Sequence, residues 1–212
     1  TILIVSLVFT ACKGDTTSGG EMTPEQTIEV MSAKIHKNEK DPSLYFIRAG
    51  ALMKVGRTNE AITDLLKATQ LEGEISYYSR DYDRALTSLS AVTEKDPTNR
   101  VALTIKSSVY KEMGDTNAAV ILLRKVCDLY PDYGLAFEEL GALYATRLDP
   151  LAVEYLNTAI SLDPQNTNAL YILAMYYQDT KHVDEAENVY RQIIAIDSTY
   201  KDAWHNMGYI EL

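Results

Sequence analysis

The sequence predicts an all-α fold of stacked two-helix units, and three observations predict it. Alanines recur at one place in the pattern, Ala61, Ala85, Ala119, Ala152 and Ala186, in steps of 24, 34, 33 and 34 residues. Loop residues keep the same beat at Pro97, Pro131, Pro164 and Ser198, and tyrosines echo it at Tyr110, Tyr144 and Tyr177. Between these marks apolar residues fall three and four apart, the spacing that lines one face of a helix.

One full unit, residues 100–131, reads RVALTIKSSVYKEMGDTNAAVILLRKVCDLYP. Its first helix should bury Leu103, part of Lys106, Ser107 and Tyr110. Gly114-Asp115 ends that helix, because glycine takes positive φ without a Cβ penalty. The second helix should bury Ala119, Leu123, Val126 and Leu129. Pro131 then stops it, having no N–H to continue the ladder. Each first helix carries a small residue at mid-length, namely Ala49, Ser107, Gly141, Ala174 and Gly208. A larger side chain there would overpack the crossing with the second helix, at about 1–3 kcal/mol. Each opens with a bulky residue, namely Tyr45, Leu103, Phe137, Leu170 and Trp204. Tyr110, Tyr144, Tyr177 and Trp204 are therefore expected in the core.

Ahead of these units, Thr23-Pro24-Glu25-Gln26 reads as a capping box with proline at the first helical position. Ile28, Met31 and Ile35 follow on one face, and Asp41-Pro42 ends the segment. This predicts a helix that covers the exposed face of the first unit.

The period of 34 with two helices per unit resembles the tetratricopeptide repeat. The resemblance covers residues 42–212. It implies a right-handed α-solenoid with units at 42–73, 74–97, 98–131, 132–164, 165–198 and 199–212, after a capping helix at 23–41. Two places depart from the pattern. The step from Ala61 to Ala85 is ten residues short, which predicts a shortened unit near residues 72–97. Most of a first helix is missing there, and Ile75 with Tyr77 or Tyr78 is expected to fill the gap. At Arg147-Leu148-Asp149-Pro150 the turn glycine is absent and one residue is lost, so the turn should differ in shape.

The amino-terminal 22 residues belong to no helical unit. Residues 2–10, ILIVSLVFT, are apolar but too short to span a bilayer as a helix. They fit the apolar part of a secretory signal, residues 1–11. Phe9-Thr10-Ala11-Cys12 resembles the lipobox of bacterial lipoproteins, which implies cleavage before Cys12 and acylation of its thiol. Residues 12–22 then form a polar, glycine-rich tether, and acyl chains would hold it to a membrane. Lys13, rather than Asp, resembles the sorting pattern for the outer membrane of a Gram-negative cell envelope, facing the periplasm or the cell surface. The chain starts at Thr1 and stops at Leu212 in mid-pattern, and is expected to be a piece of a longer protein.

The formal net charge is -10, and no cluster of Lys and Arg interrupts it, which argues against nucleic acid. Cys12 and Cys127 lie in unlike contexts and suggest no disulfide. Cys127, beside Val126, is expected as a half-buried thiol without a nearby histidine. His36, His182 and His205 are scattered, so no metal spacing appears and no cofactor is implied. Phosphate loops, His-Glu-x-x-His and Gly-x-Ser-x-Gly are missing, so no catalytic residue is assigned. Carboxylates such as Asp96 and Asp163 fall in turns.

In the family that the repeats resemble, first helices line a binding groove. The outward positions of the last first helices gather Asn168, Tyr171, Met175, Gln178, His205 and Tyr209. Aromatic, amide, thioether and imidazole groups of this kind suit capture of peptide backbone and side chains. The resemblance implies a membrane-anchored interaction module for a protein or peptide. Two alternatives are the recruiting half of a larger enzyme or signalling protein, and a lipoprotein that binds glycans through its tyrosines.

Overall fold

The computed structural model describes residues 22–210, and in them eleven helices follow one another without a strand. The described chain divides into two compact units at Lys95/Asp96. Cys12, the apolar run before it and most of the expected tether lie outside the described residues.

The first unit holds α1 (Pro24–Lys37), α2 (Pro42–Lys54), α3 (Thr58–Tyr78) and α4 (Tyr82–Lys95). The capping box at the start of α1 is formed: Gln26 N–H donates to the Thr23 hydroxyl, and Thr23 N–H donates to the Gln26 side chain at 2.9 Å. Met31 and Ile35 are buried on the face that α1 turns to α2, and Ile28 packs beside Ala49, Leu52 and Ala61.

The ten-residue shortfall has a simple cause. α3 is one continuous helix of 21 residues, and it runs through residues 72–79 without a break. Its first half packs on α2 through Ala61, Asp64 and Ala68, and its second half packs on α4. One helix thus serves as the second helix of one unit and the first helix of the next. Of the expected fillers only Tyr77 reaches α4, its ring 6.4 Å from that of Tyr82. Ile75 and Tyr78 are exposed and Tyr77 is partly exposed, while Gly73 and Ser76 are buried. A Cβ on Gly73 would lie 2.6 Å from Leu89 Cγ, so a larger residue would have to displace the Leu89 side chain from this crossing.

The second unit holds α5 (Arg100–Glu112), α6 (Thr116–Leu129), α7 (Gly134–Ala145), α8 (Leu151–Leu162), α9 (Thr167–Asp179), α10 (Val183–Ile196) and α11 (Lys201–Ile210). One apolar cluster runs through it, from Leu103 to Ala203. All five recurring alanines are 0% exposed, the physical content of the beat in the sequence. Tyr144 is buried, and Tyr110 and Tyr177 are partly buried against the same cluster. Three expectations fail here. Leu129, the last residue of α6, is exposed at the helix end. Trp204 is 50% exposed; its indole N–H donates to the Ser198 carbonyl at 3.0 Å, and no second helix follows α11 among the described residues. Cys127 is buried rather than half buried, with 6% of its surface exposed, and burial pushes its thiol up to about 11.

The five tight turns share one geometry. The N–H groups of Arg57, Asp81, Asp115, Asp149 and His182 donate to the carbonyls of Leu52, Ser76, Tyr110, Tyr144 and Tyr177, at 2.8–3.0 Å. This is the bond that closes a helix through one left-handed residue. Gly56 and Gly114 fill that place with φ of 77° and 83°, while Arg80, Leu148 and Lys181 fill it with φ of 60°, 52° and 66°. The turn at 147–150 therefore keeps the shape of the others despite lacking glycine. The lost residue is absorbed one step later. Ala152 N–H bonds Asp149 three residues back, where Ala119 N–H bonds Asp115 four residues back. The first turn of α8 is tightened, and Ala152 still reaches the core.

The connections after α1, α4, α6, α8 and α10 each span four residues, and in several of them a carboxylate is structural. The carboxylates of Asp96 and Asp197 accept from the N–H and hydroxyl of Thr98 and Thr199. Chiefly through the hydroxyl, these bonds hold both carboxyl groups below the usual range. The Asp163 carboxylate accepts from Gln165 N–H at 3.0 Å.

Candidate functional site

Along α9, Tyr171, Met175 and Gln178 stand four and three residues apart and so share a face. Two residues that the sequence reading passed over join them. Tyr190 of α10 is buried, and its hydroxyl donates to Gln178 Oε1 at 2.9 Å and lies 3.2 Å from Met175 Sδ. Asn206 of α11 donates from Nδ2 to the hydroxyls of Tyr171 and Tyr190 at 3.1 and 3.2 Å, and Met175 Sδ is 3.3 Å away. The Tyr171 ring leans on Tyr190 and Tyr200, with centroids 6.3 and 5.6 Å apart. Burial pushes the Tyr190 phenol up to about 12, against the lowering effect of its bond from Asn206.

The other three expected residues do not enter this cluster. Asn168 donates to Glu138 of α7, which also accepts from Asn166 Nδ2 at 2.6 Å. His205 and Tyr209 are exposed on α11. His205 touches the cluster only through its neighbour, with Nδ1 3.4 Å from Asn206 Oδ1. Three first helices are thus linked by polar side chains: Lys111 of α5 pairs with Glu139 of α7 at 2.8 Å, and Glu138 of α7 holds Asn166 and Asn168 at the start of α9.

Both missed residues carry a signal in the repeat register. Tyr190 stands four residues after Ala186, where Leu89, Leu123 and Leu156 stand after their alanines. A phenol in a leucine's place brings a hydroxyl that needs a partner. Asn206 stands two residues after Trp204, where Ile47, Ile105 and Ile172 follow three of the other bulky residues and Glu139 follows Phe137. An amide where isoleucine is usual is the matching partner.

In the first unit an open cleft of about 230 Å³ lies over Arg48 and Asp64. Arg48 donates twice to the buried Asp64 carboxylate, at 2.7 Å each, and once to the Ser32 hydroxyl at 3.1 Å. The Asp64 bond is the main reason the guanidinium is held above its ordinary value. The pair locks α2 to α3. Among the described residues no group of three or more His, Cys, Asp and Glu side chains could hold a metal ion, and no helix is long and apolar enough to cross a membrane.

Comparison with known families accounts for the architecture. Two models described as tetratricopeptide repeat match, one over residues 151–207 and the other over residues 42–75 and 102–133. The chain belongs to the tetratricopeptide repeat family. Such repeats form a protein-interaction module, on a fold that generally serves as a non-catalytic scaffold. A relative from Mycosarcoma maydis, small glutamine-rich tetratricopeptide repeat-containing protein 2, is 27% identical over 106 residues; the match covers 49% of this chain and 30% of that protein. Among solved structures, MamA superposes with a TM-score of 0.65 at 24% identity, over 68% of this chain and 80% of MamA. YrrB, described as a tetratricopeptide protein with an unusual peptide-binding site, gives 0.63 at 18% identity, over 84% and 98% of the two chains. A tetratricopeptide repeat protein from Parabacteroides merdae gives 0.65 at 17% identity, over 89% and 72%. At such identities these likenesses speak for the tetratricopeptide fold alone.

Proposed function

We propose that this chain is a membrane-anchored interaction module that receives a peptide or protein segment across α9 and α11 of its second unit. The observation that carries the reading is the cluster around Asn206. Its amide spans two helices and donates to the phenols of Tyr171 and Tyr190, on the same helix that carries the exposed His205 and Tyr209. A side chain fixed in this way presents hydrogen-bonding groups at little further entropic cost, which favours binding. Asn168, Tyr171, Met175, Gln178, His205 and Tyr209 are the proposed contact residues. YrrB, of the same fold, is described as having a peptide-binding site, and a comparable use is proposed for this chain.

The anchoring part of the reading rests on Phe9-Thr10-Ala11-Cys12. Cys12 is the proposed acylation site, and the outer membrane of a Gram-negative envelope the proposed location. Two experiments test the two parts separately. Capture from an envelope extract should yield a partner that Tyr171→Ala/His205→Ala/Tyr209→Ala loses; a partner kept by the variant refutes the α9–α11 site. Labelled palmitate should be incorporated in a Gram-negative host and lost in Cys12→Ser; equal labelling of both refutes the anchor.

A further inference from the structure

The repeats allow first helices to be compared position by position. Two residues beyond the small residue of α2, α5, α7 and α9, Ala51, Val109, Leu143 and Tyr176 are 5%, 0%, 5% and 7% exposed. The same place in the second half of α3, two residues beyond Gly73, is Ile75, and it is 52% exposed. Three residues earlier, where α7 and α9 bury Leu140 and Leu173, α3 carries the partly exposed Glu72. Three residues later Tyr78 is 80% exposed, with its ring 5.3 Å from that of Tyr77.

The continuity of α3 explains the bare face. α7 and α9 each pack against the second helix of the unit before them, α6 and α8. For the second half of α3 that preceding helix is α3 itself, which cannot fold back on its own face. α2 covers α3 only as far as Leu71, through Tyr45. Ile75 and Tyr78 lie about one and two turns beyond that point.

We infer that the face formed by Glu72, Ile75 and Tyr78 is a docking surface for a basic amphipathic helix of a partner protein. The helical form follows from what packs on α7 and α9, the second helices α6 and α8, whose buried side chains include Val126 and Ala159. The basic character follows from charge. Glu72 stands where α7 and α9 bury leucine and where α2 and α5 carry the basic Arg48 and Lys106, and it forms no ion pair among the described residues. Glu74 stands on the other side of Ile75, and the last turn of α3 has no basic residue. A helix carboxyl end attracts cations. The partner should set an apolar side chain on Ile75 and a Lys or Arg against Glu72.

The test uses the full chain and a labelled peptide of residues 116–129 with Cys127→Ser. This is the α6 sequence, whose apolar face lies beside Arg124 and Lys125. Fluorescence anisotropy should show saturable binding. Ile75→Asp should weaken it about tenfold or more, the loss expected for one buried aliphatic side chain. Glu72→Lys should weaken it too, and a peptide with Arg124→Glu and Lys125→Glu should restore binding to that variant. Both positions are solvent-accessible, so circular dichroism should be unchanged. No saturable binding, or binding that Ile75→Asp leaves intact, overturns the inference. So does a chain that dimerises through this face and separates in Ile75→Asp, since the occupant would then be a second copy.

Discussion

Gly141→Ala tests the packing argument most directly. A Cβ on Gly141 would lie 2.7 Å from Leu156 Cγ, 2.9 Å from its Cδ2 and 3.1 Å from its backbone N. Rotating the leucine could relieve the first two contacts but not the third, so α7 and α8 must move apart. Overpacking of this kind costs about 1–3 kcal/mol. Alanine also favours a helix over glycine by about 1 kcal/mol. The net expectation is a destabilisation of about 1–2 kcal/mol. Gly50 is the control, because it is helical with nothing within 4 Å of its added Cβ. There the helix term acts alone, and Gly50→Ala should be neutral or stabilising by up to about 1 kcal/mol. Urea unfolding followed by Trp204 fluorescence reads Gly141, since both residues lie in the second unit. Gly50 lies in the first unit and is read by circular dichroism. Leu156→Ala alone should cost about 2–5 kcal/mol. In that background Gly141→Ala should cost less than it does alone, because the clashing side chain is gone. A Gly141→Ala protein as stable as the parent, or strictly additive effects in the pair, would refute the close-crossing argument.

Three further outcomes are expected. Leu148→Gly should stabilise the second unit by about 0.5 kcal/mol in the same urea assay, since a left-handed leucine costs more than the chain entropy glycine adds; a loss of stability would contradict the strain reading. Asp64→Ala should cost about 3 kcal/mol by circular dichroism, because Arg48 loses its buried partner, and Arg48→Met/Asp64→Leu should recover most of it. Equal losses in both proteins would mean that packing, not charge, is at stake. The Cys127 thiol, raised from 9.0 to about 11, should react with a thiol reagent at pH 8 roughly a hundredfold more slowly than the unfolded chain. Its folded state favours the neutral thiol, so the associated stability is present below about pH 9 and lost as pH rises toward 11. Against Cys127→Ala, the parent's urea midpoint should therefore fall across that window, and parallel curves would be inconsistent with the shift.

Much of the fold was legible because the repeat restates it. A residue that must be small at a helix crossing reappears each unit, and Ala61, Ala85, Ala119, Ala152 and Ala186 are all fully buried. The capping box at Thr23 was legible because it is a local exchange of hydrogen bonds. The run around Gly73 misled for the opposite reason. Glycine weakens a helix in isolation, yet here it admits Leu89, and packing outweighs the local cost. Leu148 misled in the same way: it follows the left-handed path of glycine because the bonds on either side hold it there.

The sequence by itself determined the helical units, their beat and the small residues at their crossings, since these depend on periodicity and on what one turn of chain can do. Of the candidate contact residues it marked Tyr171, Met175 and Gln178, which share one helix face and are brought together. Only the tertiary structure decided that Asn206 and Tyr190 complete that cluster while His205 and Tyr209 stand apart, and that α3 serves two units and leaves Ile75 bare. Those outcomes depend on which helix lies beside which, and a chain's own periodicity describes a face without saying what will cover it.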